Sequence, residues 1–172
     1  MGDYAYIGGV LTPAGKVVFV PYSADYVGIY DPVADTFTQG AAHGMGDNAY
    51  IGGVLTPAGK VVFVPYFADY VGIYDPVADT FTQGAAHGMG DVAYAGGVLT
   101  PAGKVVFVPY NADYVGIYDP VADTFTQGAA HGMGDYAYIG GVLTPAGKVV
   151  FVPFNADYVG IYDTDISSSL VS

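Results

Sequence analysis

The sequence predicts an all-β fold of four repeated sheets, each of four short antiparallel strands, on three observations. The segment that begins Gly-Asp at Gly2 recurs at Gly46, Gly90 and Gly134, a spacing of 44 residues each time, with no insertion or deletion as far as Asp163. Within each copy the apolar residues follow a period of two. Glycine or proline interrupts every apolar run, which excludes a helical solenoid. The repeats divide the chain into 2–45, 46–89, 90–133 and 134–172, the last ending in a divergent tail.

In the first repeat, residues 5–12 form the first strand. Thr12-Pro13-Ala14-Gly15 then places proline second and glycine fourth, the chemistry of a type I hairpin turn with glycine left-handed. Residues 16–21 form the second strand, with Val17 and Phe19 on one face and Val18 and Val20 on the other. Apolar side chains on both faces mean that this strand is sandwiched between layers. After Ser23-Ala24-Asp25, residues 26–30 make a third strand of aromatic and β-branched residues. A turn follows at Asp31-Pro32-Val33-Ala34-Asp35, with both aspartates read as turn caps. Residues 36–39 alternate polar and apolar as an edge strand does. Residues 40–47 are the connector to the next repeat.

Sheets that are apolar on both faces must stack, and radial stacking sets the first strand innermost and the fourth outermost. The expected architecture is therefore a β-propeller with four blades per chain. Gly-Lys-Val-Val-Phe-Val-Pro-Tyr at 15–22, followed by Val-Gly-Ile-Tyr-Asp-Pro-Val-Ala-Asp-Thr-Phe-Thr at 27–38, resembles the Kelch pattern. Gly-Val-x-x-x-x-Gly-Lys at 9–16 is similar to NHL-type blades. The resemblance implies a propeller fold and no particular ligand.

An open row of four blades leaves an apolar face at each end. Closure within one chain needs roughly 90° between neighbours, and closure by two chains about 45°. The bulky Tyr, Phe and Val at the interfaces favour the shallower wedge, so a homodimer completing one eight-bladed ring is expected ahead of a four-bladed monomer. The tail at 164–172 stands where the last blade's outer strand would be, and either forms a degenerate outer strand or leaves that blade with three.

Sixteen aspartates oppose four lysines, with no arginine or glutamate, for a net charge of −12. That balance argues against nucleic acid and anionic membrane as partners. No leader pattern precedes the first repeat, and Val17-Val18-Phe19-Val20 is far too short to cross a bilayer. The expected location is cytoplasmic. Cysteine is absent.

No residue set reads as catalytic, and the expectation is a protein that is not an enzyme and needs no cofactor. His43, His87 and His131 recur one blade apart and are expected to make local hydrogen bonds, not a metal ring. Asp163 and Asp165 lack the glycine and glutamate of a calcium loop. Ser167, Ser168 and Ser169 have no histidine near them in sequence.

Variation between copies is the more informative signal. Column 4 reads Tyr4, Asn48, Val92, Tyr136, and column 23 reads Ser23, Phe67, Asn111, Asn155. Column 22 reads Tyr22, Tyr66, Tyr110, Phe154, and column 7 reads Ile7, Ile51, Ala95, Ile139. The start of the first strand and the end of the second meet in an antiparallel pair, so these columns are expected on one rim. Columns 4 and 23 are the candidate ligand-binding residues, for a protein or a small molecule. The alternative is an engineered or recently amplified symmetric propeller with no specific ligand.

Overall fold

In a computed structural model describing residues 2–164, the first repeat forms β1 (Tyr6–Leu11), β2 (Val17–Pro21), β3 (Tyr26–Asp31) and β4 (Thr36–Ala42). The second forms β5 (Tyr50–Leu55), β6 (Val61–Pro65), β7 (Tyr70–Asp75) and β8 (Thr80–Ala86). The third forms β9 (Tyr94–Leu99), β10 (Val105–Pro109), β11 (Tyr114–Asp119) and β12 (Thr124–Ala130). The fourth contributes β13 (Tyr138–Leu143), β14 (Lys148–Pro153) and β15 (Gly160–Asp163). Among the described residues the fourth sheet has three strands, and the tail beyond Thr164, which could supply a fourth, lies outside them.

Each sheet is an antiparallel meander in chain order. The hairpin between β1 and β2 closes as its sequence requires. Gly15 takes a φ of 83° and donates its N–H to the Thr12 carbonyl at 2.9 Å. The Asp31 carboxylate caps the turn between β3 and β4 by accepting the N–H groups of Val33 at 2.9 Å and Ala34 at 3.2 Å. Those two bonds hold its pKa below the ordinary value.

Every sheet has a valine face and an aromatic face. Val10, Val18, Val20 and Val27 of the first sheet pack on Tyr50, Val61, Phe63 and Tyr74 of the second. The same residue types meet between the second and third sheets and between the third and fourth. The inner strands approach backbone to backbone. A methyl group on Gly8 would lie 3.0 Å from the Gly52 Cα, and Gly52 and Gly96 stand at 3.1 Å from their successors in the same way. Only glycine permits that approach, and all three have positive φ.

The series stops at Gly140, where such a methyl would meet nothing within 4 Å. On the fourth sheet Val142 is 63% exposed and Ile161 67%, whereas Val10 is 8% exposed. Among the described residues the four blades therefore form an open arc. No helix among the described residues is long and apolar enough to cross a membrane.

Candidate functional site

Tracing the meander places two kinds of rim on the arc. One carries the hairpin turns at Thr12 and Asp31 and their counterparts. The other carries the connectors, the turns between second and third strands, and the varied columns 4, 22 and 23.

Columns 4 and 23 are paired by backbone in every blade. Ser23 donates its N–H to the Tyr4 carbonyl at 3.2 Å, Phe67 to Asn48 at 3.1 Å, Asn111 to Val92 at 3.2 Å and Asn155 to Tyr136 at 3.0 Å. Across the first junction the Ser23 hydroxyl donates to the Asn48 side-chain oxygen at 3.0 Å. Tyr4, Tyr136, Phe67 and Asn155 are exposed, while Asn48, Val92, Ser23 and Asn111 are half-buried. The Asn111 side-chain oxygen is buried without a hydrogen-bond partner. All eight candidate residues are thus brought to one rim. Column 7 departs from the expectation: it sits within the inner strands, and Ala95 is buried.

Column 22 joins the blades into an aromatic ladder. Ring centroids lie 5.8 Å apart for Tyr22 and Tyr66, 5.7 Å for Tyr66 and Tyr110, and 5.6 Å for Tyr110 and Phe154. Phe67 and Tyr136 extend it at 5.6 Å from Tyr66 and 5.0 Å from Tyr110. These spacings suit favourable aromatic pairing. Burial, and then the neighbouring hydroxyls of Tyr110 and Tyr22, push the Tyr66 pKa up to about 12.

Backbone conformation singles out column 4. Tyr4, Asn48, Val92 and Tyr136 all have φ between 49° and 55°. Asparagine tolerates that region, tyrosine less so, and valine is a true outlier there. Three of the four side chains are therefore not those the backbone alone would select.

Charge divides the rims. Asp3, Asp25 and their counterparts in the other three repeats are all exposed on the varied rim, eight carboxylates with no lysine among them. Lys16, Lys60, Lys104 and Lys148 all stand at the opposite rim. There, invariant grooves lie between blades. One, of about 530 Å³, is lined by Pro57, Lys60, Tyr118 and Pro120, and another, of about 600 Å³, by Pro13, Lys16, Tyr74 and Pro76.

The histidines act as expected in the connectors. The Nε2 of His43 lies 2.6 Å from the Ala24 carbonyl, and Nδ1 accepts the Met45 N–H at 3.0 Å, which fixes the tautomer with the proton on Nε2. His87 and His131 repeat the arrangement. No cluster of metal-ligating side chains occurs among the described residues.

Asp35 and its counterparts do not cap their own turn. The Asp79 carboxylate accepts the Tyr74 hydroxyl at 2.7 Å and, across the junction, the Ala41 N–H at 2.9 Å. Asp123 does the same for Tyr118 and Ala85. Sequence reasoning missed this clamp because its second partner stands 38 residues away on another sheet. The recurrence of Tyr-Asp-x-x-x-Asp in the first three repeats was the available signal.

No protein-family model and no curated protein matches the chain. Solved structures do. Virginiamycin B lyase from Staphylococcus aureus superposes with a TM-score of 0.80 at 15% identity, over 95% of this chain and 54% of its own. Hydrazine synthase from Kuenenia stuttgartiensis gives 0.73 at 16% identity, over 95% and 47%. The chain spans about half the length of these structures. They establish a propeller-type fold with four-stranded blades, while a Kelch or NHL identity has no match to carry it. The expectation that the chain is not an enzyme is overturned as an inference from fold and motif, because the fold is one that a lyase and a synthase share.

Proposed function

We propose that the chain is a repeat scaffold that binds a cationic ligand, a basic peptide segment, across the rim formed by columns 4, 22 and 23. The observation that carries this reading is the gathering of the varied positions around a continuous aromatic ladder on an otherwise near-invariant scaffold. Recognition residues concentrate on loops held by rigid elements. The left-handed column supports selection of side chains there over passive drift, since stability alone favours asparagine or glycine at such positions. Eight exposed carboxylates beside tyrosine faces suit guanidinium and ammonium groups through charge and cation–π attraction.

An arginine-rich peptide titrated at low ionic strength tests this. The chain is expected to bind it, with affinity falling as salt rises. Phe67→Ala, and a variant made uniform in columns 4 and 23, are expected to lose at least tenfold in affinity without a fall in their urea midpoints. Absence of binding, or affinity indifferent to both changes, would overturn the reading. A symmetric propeller without a ligand is the second reading, favoured by the near-identity of the copies elsewhere. It predicts no binding by any of the three proteins.

A further inference from the structure

We infer that the two open faces of this chain are covered by a second copy, so that two chains close head to tail into one ring of eight blades. The aromatic face of the first sheet presents Tyr6, Val17, Phe19 and Tyr30, with no other sheet of the described residues packed on it. The valine face of the fourth sheet presents Val142, Val152, Val159 and Ile161, between 47% and 67% exposed. Apolar exposure on that scale marks an interaction surface.

The occupant is identified by the chain's own junctions. Val152 and Val159 correspond to Val20 and Val27, which are wholly buried against Tyr50, Val61, Phe63 and Tyr74. Those four residues correspond in turn to Tyr6, Val17, Phe19 and Tyr30, with the same side chain at every place. A second copy therefore offers at each open face the surface already packed there three times within one chain. No charged residue stands among these positions. Gly140 supplies the place for the next inner glycine, the role Gly96 plays for Gly140 itself.

Such a contact joins unlike faces, and it makes a closed ring or an open filament according to the turn between blades. Curvature supports the ring. The arc follows the lyase backbone with a TM-score of 0.80 over 54% of that chain, so two arcs fill a propeller of about that size. This inference is independent of what the rim binds.

Sedimentation of the whole chain at several concentrations is expected to give a mass of twice 17.7 kDa. Val159→Asp, a change at a position 57% exposed in the single chain, is expected to weaken self-association at least 100-fold and leave the blades folded. Cross-linking separates ring from filament. The side chains of Val20 and Val61 reach within 3.0 and 3.4 Å of one point beside Gly53, and their counterparts at the seam are Val152 and Val17. The chain has no cysteine of its own, so oxidised Val17→Cys/Val152→Cys protein is expected to yield one covalent dimer. A monomer mass, a ladder of longer species, or a dimer untouched by Val159→Asp would overturn the inference.

Discussion

Replacing Asp79 measures what one bond across a blade junction contributes. Asp79→Ala removes an oxygen that accepts the Tyr74 hydroxyl at 2.7 Å and the Ala41 N–H of the preceding blade at 2.9 Å. Asp35→Ala, the equivalent change on the first blade, removes the hydroxyl bond from Tyr30 at 2.7 Å and no bond across a junction among the described residues. Both leave alanine near a φ of 54°, at 53° and 55°, so the backbone strain cancels in the comparison. A hydrogen bond to a charged group is worth about 1.5–3 kcal/mol when shielded. Exposure of this carboxylate reduces that to about 1 kcal/mol. Tyr74 is fully buried, so its abandoned hydroxyl adds about 1 kcal/mol more. Urea unfolding followed by tyrosine fluorescence is expected to place Asp79→Ala about 2 kcal/mol below Asp35→Ala. Asp79→Asn, which keeps an acceptor and tolerates the left-handed backbone, should recover at least half of the loss. Equal destabilisation by Asp79→Ala and Asp35→Ala would refute the clamp.

Val92→Asn should raise stability by about 1 kcal/mol in the same assay, because asparagine relieves a β-branched side chain at a φ of 49°; a loss would show that Val92 is not strained. Gly72→Ala should cost about 2 kcal/mol by overpacking, since its methyl would lie 2.8 Å from Tyr50 Cζ and 2.9 Å from Phe81 Cε2. A neutral effect would mean that the aromatic face of this sheet is packed more loosely than described. Stability should fall above pH 10. Burial raises the pKa values of Tyr50, Tyr74, Tyr94 and Tyr118, and Tyr66 is pushed up to about 12. Unfolded tyrosines lose their protons near pH 10 while the folded ones hold theirs. The contribution is therefore whole below pH 10 and lost as pH rises through 12. Part of the tyrosinate absorbance should rise only in step with unfolding at high pH; completion of the whole rise before unfolding would contradict burial.

Strand identity and turn chemistry were legible because each depends on neighbours in sequence. Thr12-Pro13-Ala14-Gly15 forms the expected hairpin, and Val17-Val18-Phe19-Val20 is covered on both sides wherever a blade has two neighbours, as its two apolar faces required. The outer strand was misjudged. It continues to Ala42, not to Gln39, because Gly40 is no breaker but a site of close approach. A methyl there would stand 2.9 Å from the Asp79 carboxylate of the next blade. Asp35 was misread for the same reason, since its counterparts act between sheets. The candidate rim was legible in columns 4 and 23, which antiparallel pairing brings together. Its aromatic ladder was not, because stacking from Tyr22 to Phe154 depends on how closely successive blades approach.

Hydrogen–deuterium exchange with and without the arginine-rich peptide locates the bound ligand directly, since the two rims give different peptides even where the repeats are identical. Protection is expected in residues 2–5 and 22–25, in the connector at 43–49, and in their counterparts along the chain. Protection at the turns around Thr12 and Asp31 instead, beside the grooves and lysines of the opposite rim, would contradict the account.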